Sequence, residues 1–194
     1  FLGTLAPLFT LFIEKFWLKR LIPKKMIFAL IIIFSGSLII VGHQFDPSSN
    51  YTRGNLYALF CSLWIALTII ISENVRKESN TIAISRTLFS SAAVTLLVIS
   101  FLNGESLIGY SYNDYLGLFF LGLIPTIFGH STFYYALKYV QPTIVASFPL
   151  GEPIIASIAA YFLFNELVSY YIILGGFLTV IGLLILVNLK KVVD

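Results

Sequence analysis

The chain has 194 residues, 58% of them hydrophobic and 11% charged, with a mean hydropathy of +0.94 and a net charge of +3. A soluble domain carries about 25% charged and about 45–50% apolar residues, so this composition excludes a water-soluble globular domain and points to a polytopic membrane protein. The basic residues sit in short stretches between apolar runs, which argues for membrane orientation and against nucleic-acid binding.

Seven apolar segments stand out in order, at 2–18, 26–42, 55–73, 82–102, 114–137, 142–164 and 169–189. All are near spanning length and none alternates with period two, so the prediction is an all-α helix bundle with seven transmembrane helices. The first segment is the weakest, because it carries Glu14 and Lys15. Its C-terminal half is expected at the membrane interface, with Lys15 snorkelling to the headgroups. The chain opens at Phe1 inside an apolar run, without a charged leader or cleavage site, so an N-terminal truncation is expected.

The connections alternate in charge. Lys19, Arg20, Lys24 and Lys25 follow the first segment, Arg76 and Lys77 the third, Lys138 the fifth, and Lys190 and Lys191 the last. The other three connections hold only Arg53. The positive-inside rule therefore places the C-terminus in the cytoplasm and the start of the first helix outside. An internal repeat accompanies this pattern. Moved along by 146 residues without a gap, the stretch 7–42 lies on 153–188, with Pro7 on Pro153, Leu21 on Leu167 and Gly36 on Gly182. On the charge reading the two copies cross in opposite directions, as in the inverted repeats of secondary transporters.

Small residues at Ala58, Ser62 and Ala66, at Ala156 and Ala160, and at Gly175, Thr179 and Gly182 would let helix backbones approach closely in lipid. Cys61 is the one cysteine, which forbids an internal disulfide. No nucleotide-binding glycine loop or metal-ligand spacing is present, so no cofactor and no metal is expected. The sequon Asn50-Tyr51-Thr52 decides nothing.

The stretch with most chemistry runs from Gln141 to Leu167, with Pro149-Leu150-Gly151-Glu152-Pro153 near its middle. About ten residues into a helix rising ~1.5 Å per residue, Glu152 would lie ~15 Å deep, near the centre of a ~30 Å hydrocarbon core. An acidic side chain there costs roughly 2.5–3.5 kcal/mol, so Glu152 must face protein or water and not lipid. Pro149 and Pro153 remove two backbone donors and leave the carbonyls of Val145 and Pro149 without their usual partners. With Gly151 between them, a break in the helix is predicted. The plain alternative is a packing kink around a neutral, hydrogen-bonded Glu.

His130 is the first candidate partner for Glu152. The turn between the fifth and sixth segments is centred near Val140, so an antiparallel hairpin brings 130 and 151 to similar depth. A histidine beside a buried carboxylate suits a proton relay, although the two could equally satisfy each other or a freed carbonyl. Arg86, near the start of the fourth segment, either reaches inward to an anionic substrate or snorkels outward. Tyr134, Tyr135 and Trp64 are candidates for an aromatic pocket, or for interface anchors. Ser85, Ser90 and Ser91 suit hydrogen bonds between helices better than nucleophilic chemistry.

From Gly54 to Asn188 the chain resembles the second five-helix repeat of EamA-type transporters, in the drug/metabolite transporter superfamily. The residues that carry the resemblance are GLIPTIFGHSTFYYALKYV followed by QPTIVASFPLGEPIIASIAAYFLFNEL, with Gly129-His130, Tyr135-Ala136-Leu137-Lys138, Gly151-Glu152-Pro153 and the closing Glu166-Leu167. The stretch Pro7 to Gly42 is similar to the last two helices of the first repeat, except that Lys19-Arg20 stands where a closing Glu is expected. The resemblance implies ten helices in two inverted repeats, of which about three would precede Phe1. It also implies a permease of the cytoplasmic membrane that moves a small metabolite by alternating access, proton-coupled or by exchange, and that is not an enzyme. The expected partners are the metabolite and the bilayer; a homodimer is left open. Two other classes compete. A seven-helix receptor or photoreceptor fits the helix count, but a retinal protein needs a lysine in its last helix and 169–189 has none. An intramembrane enzyme would use Glu152 and His130 as acid and base, but would usually gather more such residues.

Overall fold

The computed structural model describes residues 2–42 and 52–189. They form helices and turns with no strand among them, in agreement with the all-α reading. After a 3-10 turn at Leu2–Thr4, helix α1 (Ala6–Phe12) continues into a π-helical turn at Ile13–Trp17. Helices α2 (Lys24–Gly42), α3 (Thr52–Glu78) and α4 (Thr81–Leu102) are continuous. Helix α5 (Tyr112–Ala136) contains a π-helical stretch at Gly122–His130, and α6 (Pro142–Phe164) contains a 3-10 turn at Phe148–Gly151. Helix α7 is Tyr170–Val187. From α3 onward, five helices are long and apolar enough to cross a bilayer. The sequon at Asn50-Tyr51 and the basic pair Lys190 and Lys191 lie outside the described residues.

The chain forms two compact units, Phe1–Ile70 with Val140–Asp194, and Ile71–Tyr139. The first is built on the crossing of α2 and α7. A Cβ at Gly36 would come within 2.5 Å of the Gly175 carbonyl oxygen, and one at Gly182 would collide with Ile33 and the Ala29 carbonyl. As α2 ascends through Ala29, Ile33, Gly36 and Ile40, its partners on α7 descend from Gly182 to Gly175, so the helices run antiparallel. Hydrophobicity does not drive helices together in lipid; close backbone approach does, and only glycine permits it here. The crossing is self-complementary. Gly36 meets Gly175 and Thr179, while Gly182 meets Ala29 and Ile33, and each residue of one set lies 146 positions from its counterpart in the other. Around this crossing Met26, Leu30, Ile33, Ile144, Leu150 and Leu186 form the buried apolar core.

The same interval recurs in the backbone. Lys19 (φ 51°) and Asn165 (φ 53°) are the non-glycine residues with positive φ among the described residues. Each follows a helix whose end is closed by a bond six residues back, from Arg20 N–H to Glu14 O (2.8 Å) and from Glu166 N–H to Ala160 O (3.4 Å). Each bond reaches one residue further back than the six-to-one bond of a Schellman terminator, while the positive φ turns the chain out of the helix as such terminators do.

In the second unit α4 starts at Asn80, whose side chain accepts from Ala83 N–H at 2.8 Å. Helix α5 starts with a reciprocal box between Ser111 and Asp114. The C-terminal part of α5, Ser131–Ala136, packs on α4. No described residue of α5 from Tyr112 to Ala136 is buried, and Phe119, Phe120 and Phe128 are each more than half exposed. Such a helix is stable where lipid, not water, is the solvent, because its own ladder satisfies its backbone groups. The chain is a multi-pass membrane protein.

Candidate functional site

Helix α6 is interrupted where its sequence places two prolines. The carbonyls of Val145 and Pro149, expected to lack their usual partners, find other donors. The N–H of Phe148 turns back to Val145 O, and that of Glu152 to Pro149 O, so the chain tightens into a 3-10 turn and both carbonyls are served. The two halves then differ sharply. Every residue of Pro142–Ser147 is buried, while Glu152–Phe164 contains no buried residue. Glu152 opens this second half and is exposed on the first unit, and the Ser157 hydroxyl, one turn on, donates to Pro153 O at 2.8 Å. Gly151 sits against Leu183 of α7, where an added Cβ would come within 3.2 Å of a methyl carbon.

The first half of α6 packs on α1, and the seam between them is polar. Thr10, Glu14, Thr143 and Ser147 are all 0% exposed. Thr10 and Glu14 are one turn apart on α1 and its π turn, and Thr143 and Ser147 one turn apart on α6. One carboxylate oxygen of Glu14 accepts from Arg20 Nη1 at 3.0 Å. The other accepts from the backbone N–H of Thr143 at 3.2 Å and from its hydroxyl. The Ser147 hydroxyl donates to Thr143 O at 2.7 Å. A buried carboxylate is tolerable only when paired and hydrogen-bonded, and Glu14 has both. Glu14 was expected near the interface; it is instead wholly inside protein. Its partner lies 129 residues away, so no local pattern could reveal the contact. The available signal was its register, one turn beyond Thr10 on the face that also carries Pro7.

The remaining candidates fall in both units. His130, Tyr134, Tyr135 and Arg86 belong to the second unit, Trp64 and Glu152 to the first. His130 closes the π-helical stretch, exposed, with Nδ1 2.9 Å from Pro125 O. Because a carbonyl only accepts, Nδ1 carries the proton there. Pro125 withholds the donor that would serve Leu121 O, and the Thr126 hydroxyl supplies one at 2.9 Å. Tyr134 is half-buried against Phe89, their ring centroids 6.4 Å apart. Tyr135 is exposed, its hydroxyl 3.1 Å from that of Tyr139. Arg86 and Trp64 are exposed. Within the first unit a cavity of about 1000 Å³ lies between α1 and α3, lined by Leu8, Phe9, Phe12, Ile13, Phe16, Trp17, Leu63 and Leu67. Its wall is apolar and aromatic, and Glu152 is not part of it.

A model of the EamA-like transporter family matches residues 52–188. An uncharacterized transporter of Archaeoglobus fulgidus is 25% identical over 188 residues, covering 95% of this chain and 65% of its own length. A second from the same organism is 25% identical over 139 residues, or 72% of this chain and 49% of its own. The chain thus spans about half to two thirds of the length of these relatives. A solved structure titled only as the crystal structure of a protein shares the fold, with a TM-score of 0.78 at 16% identity over 99% of this chain and 66% of that one.

Proposed function

Since the chain belongs to the EamA-like transporter family, we propose that the protein carries a small metabolite across the cytoplasmic membrane by alternating access, driven by an ion gradient or by substrate exchange. The observation that carries this reading is the interruption of α6. A half-helix locked into protein meets, through a 3-10 turn, a half-helix with no buried residue that begins at an acidic side chain. Broken helices at membrane depth are tolerated where they line a cavity, and they are where transporters bind substrate and coupling ions.

In this reading 1–42 are the last two helices of one repeat and 54–188 the complete second repeat, with the C-terminus cytoplasmic. The self-complementary crossing of α2 and α7, and the matched helix ends at Lys19 and Asn165, support that division. Glu152 is the coupling or substrate-contact group. His130, Tyr134, Tyr135, Arg86 and Trp64 are secondary candidates for the same path, each to be weighed by its effect on flux.

The test is flux into proteoliposomes under an imposed pH gradient, or counterflow of preloaded substrate. Glu152→Gln should abolish gradient-dependent uptake while the protein still inserts and purifies as wild type. Uptake unchanged by that substitution would remove Glu152 from the mechanism.

A further inference from the structure

We infer that Glu14 is a positioning residue: held by Arg20, it fastens the first half of α6 to α1, so that motion at the Phe148–Gly151 turn is confined to the half that begins at Glu152. The inference rests on packing and hydrogen bonding and goes beyond the transport reading, since it says which part of the broken helix is fixed.

Helix α6 begins poorly on its own. Gln141 stands at the capping position with no side-chain bond to the backbone, and Pro142 has no N–H to satisfy. The first donor of the helix is therefore Thr143 N–H, and its acceptor is Glu14, from another helix. The Thr143 hydroxyl reaches the same oxygen, and the Arg20 guanidinium occupies the other. An acceptor shared between a backbone N–H and a hydroxyl fixes both the height and the rotation of α6 against α1. Withdrawal of α6 from this seam would strand a buried carboxylate and a buried backbone donor together, which is far costlier than leaving either in water. The Glu152–Phe164 half meets no such restraint: none of its residues is buried, and it joins the fixed half through a turn of four residues.

The fastening is one-sided. At the interval that relates the two helix ends, Glu14 corresponds to Ala160 and Arg20 to Glu166. Ala160 has no side-chain acceptor, so its helix cannot make this contact in the same way. The two related segments are thus unequal in what they hold.

Hydrogen exchange of the protein in lipid nanodiscs tests the inference without reference to flux, so its outcome is independent of whether Glu152 proves to be a coupling group. Glu14→Ala should speed exchange of amides 143–148 about tenfold or more, the effect of losing a charge-assisted hydrogen bond on local opening, and leave 154–164 within about twofold of wild type. Thr143→Val should speed the same amides, while Thr143→Ser, which keeps both donors, should match wild type. Unchanged exchange at 143–148 in Glu14→Ala would overturn the assignment. So would equal acceleration in both halves of α6, or a Thr143→Val protein indistinguishable from Thr143→Ser; the Thr143 pair decides the matter if Glu14→Ala fails to fold.

Discussion

At the scale of single residues, the ion pair of Glu14 and Arg20 illustrates how a charge survives inside a membrane protein. The pair is 3.0 Å apart with the side chains 0% and 9% exposed, so each charge offsets much of the cost of burying the other. Arg20→Ala should therefore cost about 3–5 kcal/mol of stability, because it takes the neighbouring positive charge away from a buried carboxylate. The double substitution Glu14→Leu with Arg20→Leu should cost less than the sum of the two single changes, since each single change leaves the other member's charge buried without its counter-charge. Denaturant unfolding in detergent of the single and double variants measures the coupling, and additive losses would contradict the pairing. The chemistry of Glu152 was legible in the sequence because its neighbours, Pro149, Gly151 and Pro153, are local. That of Glu14 was not. The sequence shows a charge in an apolar segment, but whether it turns to headgroups or inward depends on Thr143, which only the folded chain brings close. Lys19 is similar: nothing in its side chain announces a left-handed backbone, and it is the fit of the helix end that imposes φ 51°.

At the scale of elements, hydropathy located the helices seen among the described residues, five of which are long and apolar enough to cross a bilayer where seven spans were expected. It erred at the ends. The third segment was expected over 55–73, whereas α3 runs Thr52–Glu78, since helical hydrogen bonding continues through Asn74–Glu78 after apolarity stops. Hydropathy could not show the π-helical turns in α1 and α5 either, because a widened turn leaves composition unchanged. The crossing of α2 and α7 was half legible. The repeat pointed to Gly36 and Gly182 as equivalent, but not to their packing against the opposite helix. That packing carries a prediction. Gly36→Val places atoms against the backbone of Gly175 and Thr179 and should destabilise the protein by about 1–3 kcal/mol, the usual cost of overpacking. Gly117→Val, at a position with nothing within 4 Å, should have a much smaller effect on the unfolding midpoint. Equal effects at the two sites would mean that the close approach contributes nothing.

For the whole molecule, the decisive feature is the contrast between an apolar exterior and a few acidic groups set at helix breaks. The bilayer accounts for the exterior: five helices of spanning length, with α5 bare of buried residues, need lipid as their solvent. It does not account for Glu152, exposed at the start of a half-helix and too costly to leave against hydrocarbon. Water or substrate must therefore reach that carboxylate, and chemical accessibility measures this directly. Cys61 is the one native thiol, so Glu152→Cys in a Cys61→Ser background gives a single reporter. In sealed proteoliposomes a membrane-impermeant thiol reagent should modify position 152, at a rate that changes when substrate or a pH gradient is supplied. Failure to label it from either face of the membrane, in a variant that still inserts and folds, would mean that Glu152 lies on no path through the protein.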